Sequence, residues 1–238
     1  MSVLSRLPSA PHRVLLFHGL ASLPGEFSLL VYPLRRLGIS LIAPQLPGYS
    51  HGTLSGPASW RDWIRAAAQV VEREAESCQE PFILGGLCTG AMLAVATAAA
   101  HPHPRLRGLA LLSPLFAYDG WGLPWWYRLR HLAYALGISH RFSMRERPPY
   151  GLKNERMRQR VRQQLDTGSN SLAGPPRIPL QVVRESERLS RHALACLSRF
   201  SKPMLMLHAR EDEICSLRRV KEAAKARFPR TALHASAR

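Results

Sequence analysis

Gly86-Leu87-Cys88-Thr89-Gly90 lies between an apolar run, Pro81-Phe82-Ile83-Leu84, and an alanine-rich run from Ala91 to Ala100. The first run predicts a short buried strand and the second predicts a helix, so the five residues between them predict a sharp turn. In such a unit, called a nucleophile elbow, the central side chain is held exposed on a strained backbone, and glycines on either side let the crossing backbones approach. The usual central residue is Ser, and here it is Cys88.

A cysteine at the centre of an elbow indicates covalent chemistry, because a thiolate is a strong nucleophile. We expect the start of the following helix to lower the pKa of the Cys88 thiol. The alternative is a buried Cys in a glycine-containing core segment, and the flanking strand and helix favour the elbow.

Five short apolar runs predict buried strands, and helical or glycine-rich segments separate them. This pattern is typical of an α/β fold, in which helices cover both faces of a mostly parallel sheet. Helices are predicted over residues 27–37, 186–200 and 216–228, and from a capping box at Ser59 to about Ser77. The five strand candidates are Val14–Phe17, Ile39–Ala43, Phe82–Leu84, Leu109–Leu112 and Met204–Leu207.

The residues from 118 to 180 interrupt this alternation and predict a helical lid inserted into the core. The core would then consist of residues 1–117 and 181–238. The insertion contains tryptophans and a very basic helix predicted around residues 153–165. Between Trp121 and Ala195 the chain has 14 Lys and Arg against five Asp and Glu, about half of the net charge of +17.

The charge of +17 predicts attraction to anionic partners such as phospholipid headgroups or acidic substrates. Nucleic-acid binding would depend on charge alone, since the sequence contains no recognised nucleic-acid-binding module. The N-terminus lacks the apolar core of a signal peptide, and the four cysteines have no metal-ligand spacing. We therefore expect a cytoplasmic protein, in peripheral contact with the inner face of the membrane if it binds lipid, with free thiols, no metal and no cofactor.

Two further segments supply partners for Cys88. The sequence His18-Gly19-Leu20 follows the first strand, where a backbone N–H donor to an oxyanion is expected, so the amides of Leu20 and Thr89 would form an oxyanion hole. His18 is interpreted as a residue that shapes this turn. Asp212 follows the last strong strand, where an acid could orient a catalytic base, and its alternative role is to cap a turn.

These motifs together resemble the α/β-hydrolase superfamily, most closely its lidded branch of monoglyceride lipases, esterases and serine aminopeptidase-like hydrolases. The resemblance covers nearly the whole chain apart from the lid, and it rests on His18-Gly19, the loop 46–52, Gly86 to Gly90, and Asp212. The Cys in the elbow is similar to that of dienelactone hydrolases and polyhydroxyalkanoate synthases. The resemblance implies a small-molecule acyl ester or thioester substrate, attacked by Cys88 to give a covalent acyl-enzyme.

The sequence departs from the family at the catalytic His, which the family places in a loop after the final strand. His234 is the only His after Asp212, and it is predicted to lie within the last strand. His234 is the candidate general base, while His208, at the end of the preceding strand, is interpreted as a packed structural residue. Two alternatives stay open: a catalytically impaired protein that binds acyl groups or a membrane surface, and an acyltransferase.

Overall fold

The computed structural model describes residues 12–53, 58–120, 122–123, 125–145, 159, 177–227 and 231–236. Its central sheet has six parallel strands. They are β1 (His12–Phe17), β2 (Ile39–Ile42), β3 (Phe82–Leu87), β4 (Leu106–Leu112), β7 (Met204–Ala209) and β8 (Thr231–Ser236). The strands are adjacent in the order β2-β1-β3-β4-β7-β8, so β3 lies near the middle of the sheet.

Six helices of more than five residues accompany this sheet in the described part of the chain. They are α1 (Ser28–Arg36), α2 (Trp60–Ser77), α3 (Thr89–Ala100), α4 (Arg130–Ala135), α5 (Leu180–Leu197) and α6 (Leu217–Arg227). Helix α3 contacts β1, β3 and β4 as well as α2 and α5, whereas α1 lies against β2 and α6 lies against β7 and β8. No helix of the described residues combines the length and the apolar character needed to cross a bilayer.

The structure confirms the predicted α/β class and contains all five predicted strands. Helix α2 begins at the predicted capping box: the Ser59 side chain accepts the Asp62 N–H, and the Asp62 carboxylate accepts the Ser59 N–H. The helix predicted from residue 186 begins earlier, at Leu180. The reason is tertiary, because Leu180 and Val183 are buried in a second apolar cluster that the sequence pattern does not reveal.

The inserted segment is only partly helical where the structure describes it. It contains 3-10 helices at Trp125–Leu129 and Ser139–Arg141, helix α4, and an antiparallel pair formed by β5 (Ser143–Arg145) and β6 (Arg177–Pro179). Strands of three residues are too short to produce an alternating pattern, so this pair was not predicted. The basic helix predicted around residues 153–165 lies outside the described residues, and the lid and domain boundaries stay predictions.

Two apolar clusters meet beside the elbow. The larger one fills the space between the sheet and helices α2, α3 and α5. The smaller one is built from Tyr127, Ile178, Leu180 and Val183. The partly buried side chains of Leu20 and Tyr118 pack against both clusters, so the inserted segment joins the core at the predicted oxyanion loop.

The end of β1 crosses the elbow at backbone contact. A Cβ atom on Gly90 would lie 2.1 Å from the Phe17 carbonyl oxygen and 2.3 Å from that of His18. A Cβ atom on Gly86 would lie 2.6 Å from the Phe17 oxygen and 2.4 Å from the Gly90 carbonyl carbon. Both positions have room only for a hydrogen atom, which is the reason for the glycine spacing.

We expect Gly90→Ala to destabilise the fold by about 3 kcal/mol or more, because the backbone of β1 or α3 must shift to admit the methyl group. Gly38→Ala is the matched control: Gly38 has a φ of +72° but nothing within 4 Å of the new Cβ. Gly38→Ala should lower the free energy of unfolding only by the strain of placing alanine at a positive φ, about 1–2 kcal/mol. Urea unfolding measures both values, and equal losses would contradict the crossing described here.

Candidate active site

The backbone at Cys88 has the strained geometry of an elbow. Its φ is 56° and its ψ is −117°, and it directly precedes α3. The Cys88 N–H donates to the Leu112 carbonyl oxygen at 2.9 Å, which fixes the turn to the end of β4. Among the described non-glycine residues, Ala21 and Ser113 are the others with positive φ. All three lie just beyond the ends of the adjacent strands β1, β3 and β4, and such strain is concentrated at functional sites.

The Cys88 thiol is half-buried and close to Thr89, whose hydroxyl oxygen lies 4.0 Å from the sulfur. Burial raises the pKa of Cys88 to about 12, and the carboxylates of Asp212 and Glu26 add to this rise, while the N–H and hydroxyl of Thr89 act against it. The start of α3 acts in the expected direction through the Thr89 N–H, but burial and the two carboxylates outweigh it. With its pKa raised in this way, Cys88 would need a base to take its proton before it could act as a nucleophile.

Two backbone N–H groups are available as donors near this thiol, that of Thr89 in the elbow and that of Leu20 in the predicted oxyanion loop. Thr89 is the first residue of α3, so no helical carbonyl can accept its N–H. The loop at Leu20 is held by the Ser22 N–H, which donates to the Gly19 oxygen at 3.2 Å. No hydrogen bond among the described residues uses the Leu20 N–H. The oxyanion hole of Leu20 and Thr89 stays a prediction, with both donors in the loops that the fold brings together.

His18 is fixed inside the turn. Its side chain is fully buried, its Nδ1 lies 2.8 Å from the Gly19 oxygen, and its Nε2 lies 2.6 Å from the Ser50 hydroxyl. The ring stacks on Tyr49, whose hydroxyl donates to the His18 oxygen at 2.8 Å. Burial lowers the pKa of His18 to about 4, so the imidazole is neutral. These contacts support the interpretation that His18 shapes the turn.

The structure shows the turn-capping role of Asp212, and its role as the acid that orients a base stays a prediction. Its Oδ1 accepts the N–H groups of Ile214 and Cys215, both at 2.9 Å, and so caps the turn after β7. Its Oδ2 lies 4.0 Å from Nε2 of His208. The charge of the Asp212 carboxylate also contributes to the raised pKa of Cys88.

The two candidate bases lie on neighbouring strands. His208 is buried, and its Nε2–H donates to the Cys215 oxygen at 2.9 Å, which is a structural bond. Its Nδ1 is also buried and has no hydrogen-bond partner among the described residues. His234 lies within β8, as the sequence predicts, where its backbone is in register with Leu207. The imidazole of His234 lies outside the described atoms, and its role as the base stays a prediction.

Glu26 is a site residue that the sequence analysis missed. Its Oε2 accepts the Gly19 N–H at 2.8 Å, beside the predicted oxyanion donor Leu20. Burial raises the pKa of Glu26 to about 7. The residue lies in the 3-10 helix Pro24–Phe27, and no periodic pattern marks it, because only the folded loop brings it back to the end of β1.

The described residues contain no group of three or more His, Cys, Asp or Glu side chains arranged to hold a metal ion. The parallel sheet, the elbow at the end of β3 and the carboxylate after β7 define a hydrolase of the α/β-hydrolase fold. A family model described as serine aminopeptidase, S33, matches residues 8–232. The chain belongs to that family.

Solved structures share this fold. A monoacylglycerol lipase from Paleococcus ferrophilus superimposes with a TM-score of 0.72 at 19% identity, over 94% of this chain and 83% of the lipase. A soluble variant of monoglyceride lipase from Saccharomyces cerevisiae gives 0.76 at 16% identity, over 96% and 78%. A lipase-esterase related protein from Clostridium acetobutylicum gives 0.68 at 16%, over 97% and 87%. No curated protein sequence matches this chain significantly.

We expect Glu26→Gln to change how stability depends on pH. Because the folded-state pKa of Glu26 is raised from 4.5 to about 7, the folded protein binds this proton more tightly than the unfolded chain does. Its contribution to stability is therefore complete below about pH 4.5 and is lost as the pH rises through about 7. Gln removes this loss, so the variant should gain about 1–3 kcal/mol relative to the native protein between pH 5 and pH 8.

Urea unfolding at several pH values measures this difference, with Glu76→Gln, an exposed position on α2, as the control. A difference between native and Glu26→Gln proteins that stays constant across pH would contradict the raised pKa.

Proposed function

We propose that this protein hydrolyses acyl esters or thioesters through a covalent acyl-enzyme on Cys88. The observation that carries the proposal is the strained elbow, which holds a half-buried thiol at the start of α3 with the Asp212 carboxylate nearby. A thiol in this position has the geometry of a nucleophile and lacks a disulfide partner.

In the proposed reaction, Cys88 Sγ attacks the acyl carbonyl carbon while its proton passes to the imidazole of His234, oriented by Asp212. The carbonyl oxygen becomes an oxyanion and accepts hydrogen bonds from the N–H groups of Leu20 and Thr89. The tetrahedral intermediate collapses, the bond to the alcohol or thiol breaks, and the imidazolium protonates the leaving group. Water then attacks the thioester with the same base, which releases the carboxylic acid and restores the Cys88 thiol.

Esters and thioesters suit this nucleophile better than amides. A tetrahedral intermediate that contains an amine expels the thiolate more readily than the amine, so an amide substrate would return to its starting state. The smaller apolar cluster supports an apolar acyl chain, because it meets the core at Leu20 and Tyr118, beside the elbow. The similar monoacylglycerol lipase structures support the same substrate class.

A second proposal is peripheral contact with an anionic membrane through the inserted segment. Its apolar groove of about 300 Å³ includes exposed leucines and Phe142. Leu129, Leu132, Leu136 and Phe142 are 59%, 59%, 61% and 50% exposed, and Trp125 is 80% exposed. The exposed basic residues Arg128 and Arg141 lie in the same segment. Apolar side chains with basic neighbours suit the headgroup region of an anionic bilayer, so we propose that the lid also contacts lipid. We further propose that the protein itself is located in the cytoplasm.

We expect Cys88→Ala to reduce hydrolysis of p-nitrophenyl and thioester acyl substrates by about 1,000-fold or more. Cys78→Ala, at the end of α2, is the control and should leave turnover unchanged. Mass spectrometry should find the acyl group on the Cys88 peptide, and His234→Ala should slow its formation at least about 100-fold, whereas His208→Ala should not.

Unchanged turnover in Cys88→Ala would remove the proposed nucleophile. Normal acylation in His234→Ala would remove His234 from the mechanism and leave Cys88 in it. Acyl transfer to an added alcohol in preference to water would favour the acyltransferase alternative.

We expect Leu132→Asp with Leu136→Asp to weaken binding to vesicles of phosphatidylcholine and phosphatidylglycerol by about 10-fold or more, because two apolar contacts are replaced by charges that the lipid repels. Leu29→Asp with Leu37→Asp is the matched control, since these leucines are 66% and 59% exposed beside or within α1. Cosedimentation with vesicles measures binding by both double variants. Equal losses of vesicle binding in the two would contradict contact through the inserted segment.

A further inference from the structure

A second groove, of about 700 Å³, lies between α4, α5 and the segment from Leu115 to Asp119. It differs from the apolar groove because five arginines contribute to its walls. Two carboxylates, Asp119 and Glu187, face them. The guanidinium groups belong to Arg130, Arg184, Arg188, Arg191 and Arg219.

Both carboxylates of the groove are already paired. Arg130 Nε lies 2.7 Å from Glu187 Oε1, and Arg219 Nε lies 3.3 Å from Asp119 Oδ2. Arg188 pairs with a third carboxylate, that of Glu185, at 2.7 Å.

Two arginines on α5 remain without a carboxylate. In the part of the chain that the structure describes, neither Arg184 nor Arg191 forms an ion pair. Arg184 lies over the ring of Tyr134 at 5.3 Å, which positions its guanidinium. Arg184, Arg188 and Arg191 are spaced four and three residues apart, so they lie on one face of α5. The groove therefore presents positive charge that the described residues do not neutralise.

The Ser190 hydroxyl is a second, independent indication of a ligand. Ser190 is only 3% exposed and lines this groove, yet its Oγ has no hydrogen-bond partner among the described residues. Arg191 Nε donates to the Glu187 carbonyl oxygen at 3.4 Å, but neither Arg191 nor Arg184 has a carboxylate partner among the described residues. Buried hydroxyls are almost always hydrogen-bonded, so an unpaired one beside such guanidinium groups indicates a missing acceptor. A phosphate group accepts hydrogen bonds from both kinds of donor, and guanidinium groups bind it through two parallel bonds.

The groove begins close to the proposed nucleophile. Leu115 lines it, and the Leu115 N–H donates to the Cys88 carbonyl oxygen at 3.3 Å. Tyr118 also lines it and packs against both apolar clusters. The segment from Leu115 to Tyr118 therefore borders both the elbow and the arginine groove, and this shared border links the groove to the site of the proposed reaction.

We propose that this groove binds the phosphate-bearing part of the substrate, the alcohol or thiol that leaves when Cys88 is acylated. The inference rests on the proposed function for the identity of the acyl group, while phosphate binding itself stands on Arg184, Arg191 and Ser190. The shared chemistry is a phosphate on the leaving group, which a lysophospholipid ester and a coenzyme A thioester both carry.

Inorganic pyrophosphate is the probe for the groove, titrated by calorimetry into the full chain carrying Cys88→Ala. Arg184→Gln with Arg191→Gln should weaken binding at least about 10-fold, because charge-assisted hydrogen bonds are lost. Arg35→Gln with Arg36→Gln on α1 removes the same charge from an exposed site outside the groove and should leave binding unchanged. Arg191→Gln alone, at an exposed position, gives a weaker loss without risk to folding.

Equal losses in the two double variants, or no pyrophosphate binding at all, would overturn the proposal. The catalytic arm uses the chain with Cys88 intact and compares KM for a phosphate-bearing substrate with KM for a neutral one of the same acyl chain. A lysophosphatidate is compared with a monoacylglycerol, and a coenzyme A thioester with an N-acetylcysteamine thioester. The groove variants should raise KM for at least one phosphate-bearing substrate and for neither neutral one, and the substrate affected identifies the source of the phosphate.

A uniform effect on charged and neutral substrates would contradict the groove while leaving Cys88 catalysis intact. Turnover that survives Cys88→Ala would instead remove the proposed function, and the pyrophosphate titration would still decide whether the groove binds phosphate.

Discussion

The contact between the end of β1 and the elbow is the constraint on which the rest of the site depends. The carbonyl oxygens of Phe17 and His18 occupy the space that a side chain at Gly90 would need. On the other side, a Cβ atom on Gly85 would lie 2.1 Å from the Ala110 oxygen of β4. Backbone thus lies against backbone at both edges of β3. The distance between the loop that carries Leu20 and the turn that carries Cys88 is therefore set by main-chain contacts, which side-chain motion does not alter.

The electrostatics of the site are opposite to those of the whole chain. The protein carries a net charge of +17, yet the groups that influence the Cys88 thiol include the carboxylates of Asp212 and Glu26. The arginines are concentrated elsewhere, on α5 and its neighbours. Burial raises the pKa of the Cys88 thiol most, and these carboxylates add to the rise. In the proposed reaction, proton removal is therefore part of the chemical step, and the base matters more than in a site with a preformed thiolate.

The sequence predicts those parts of the molecule that depend on local pattern. Each of these features is encoded by a continuous stretch of no more than about 20 residues. They are the five strands, the Ser59 capping box and the elbow around Cys88. The contribution of the helix start to the Cys88 pKa was predictable, but the net rise was not, because it depends on burial and on the carboxylates of Asp212 and Glu26. The pair β5–β6 was missed because its two short strands are joined across more than 30 residues. Glu26 was missed because its bond to Gly19 depends on the conformation of the loop between them, which has no periodic pattern. The role of Asp212 lies between these cases: its position was predictable, but its division between a turn cap and a carboxylate near the thiol was not.

Helix α3 has almost no surface of its own, since every residue from Thr89 to Ala98 is buried between the sheet and helices α2 and α5. A short helix without a polar face has little stability in water by itself. The turn at Cys88 therefore exists only while its neighbours are assembled around it, and fraying at the periphery leaves it intact. We therefore expect the amide hydrogens of α3 to exchange only through global unfolding. The strained turn at Cys88 is then lost in the same cooperative transition that unfolds the whole domain.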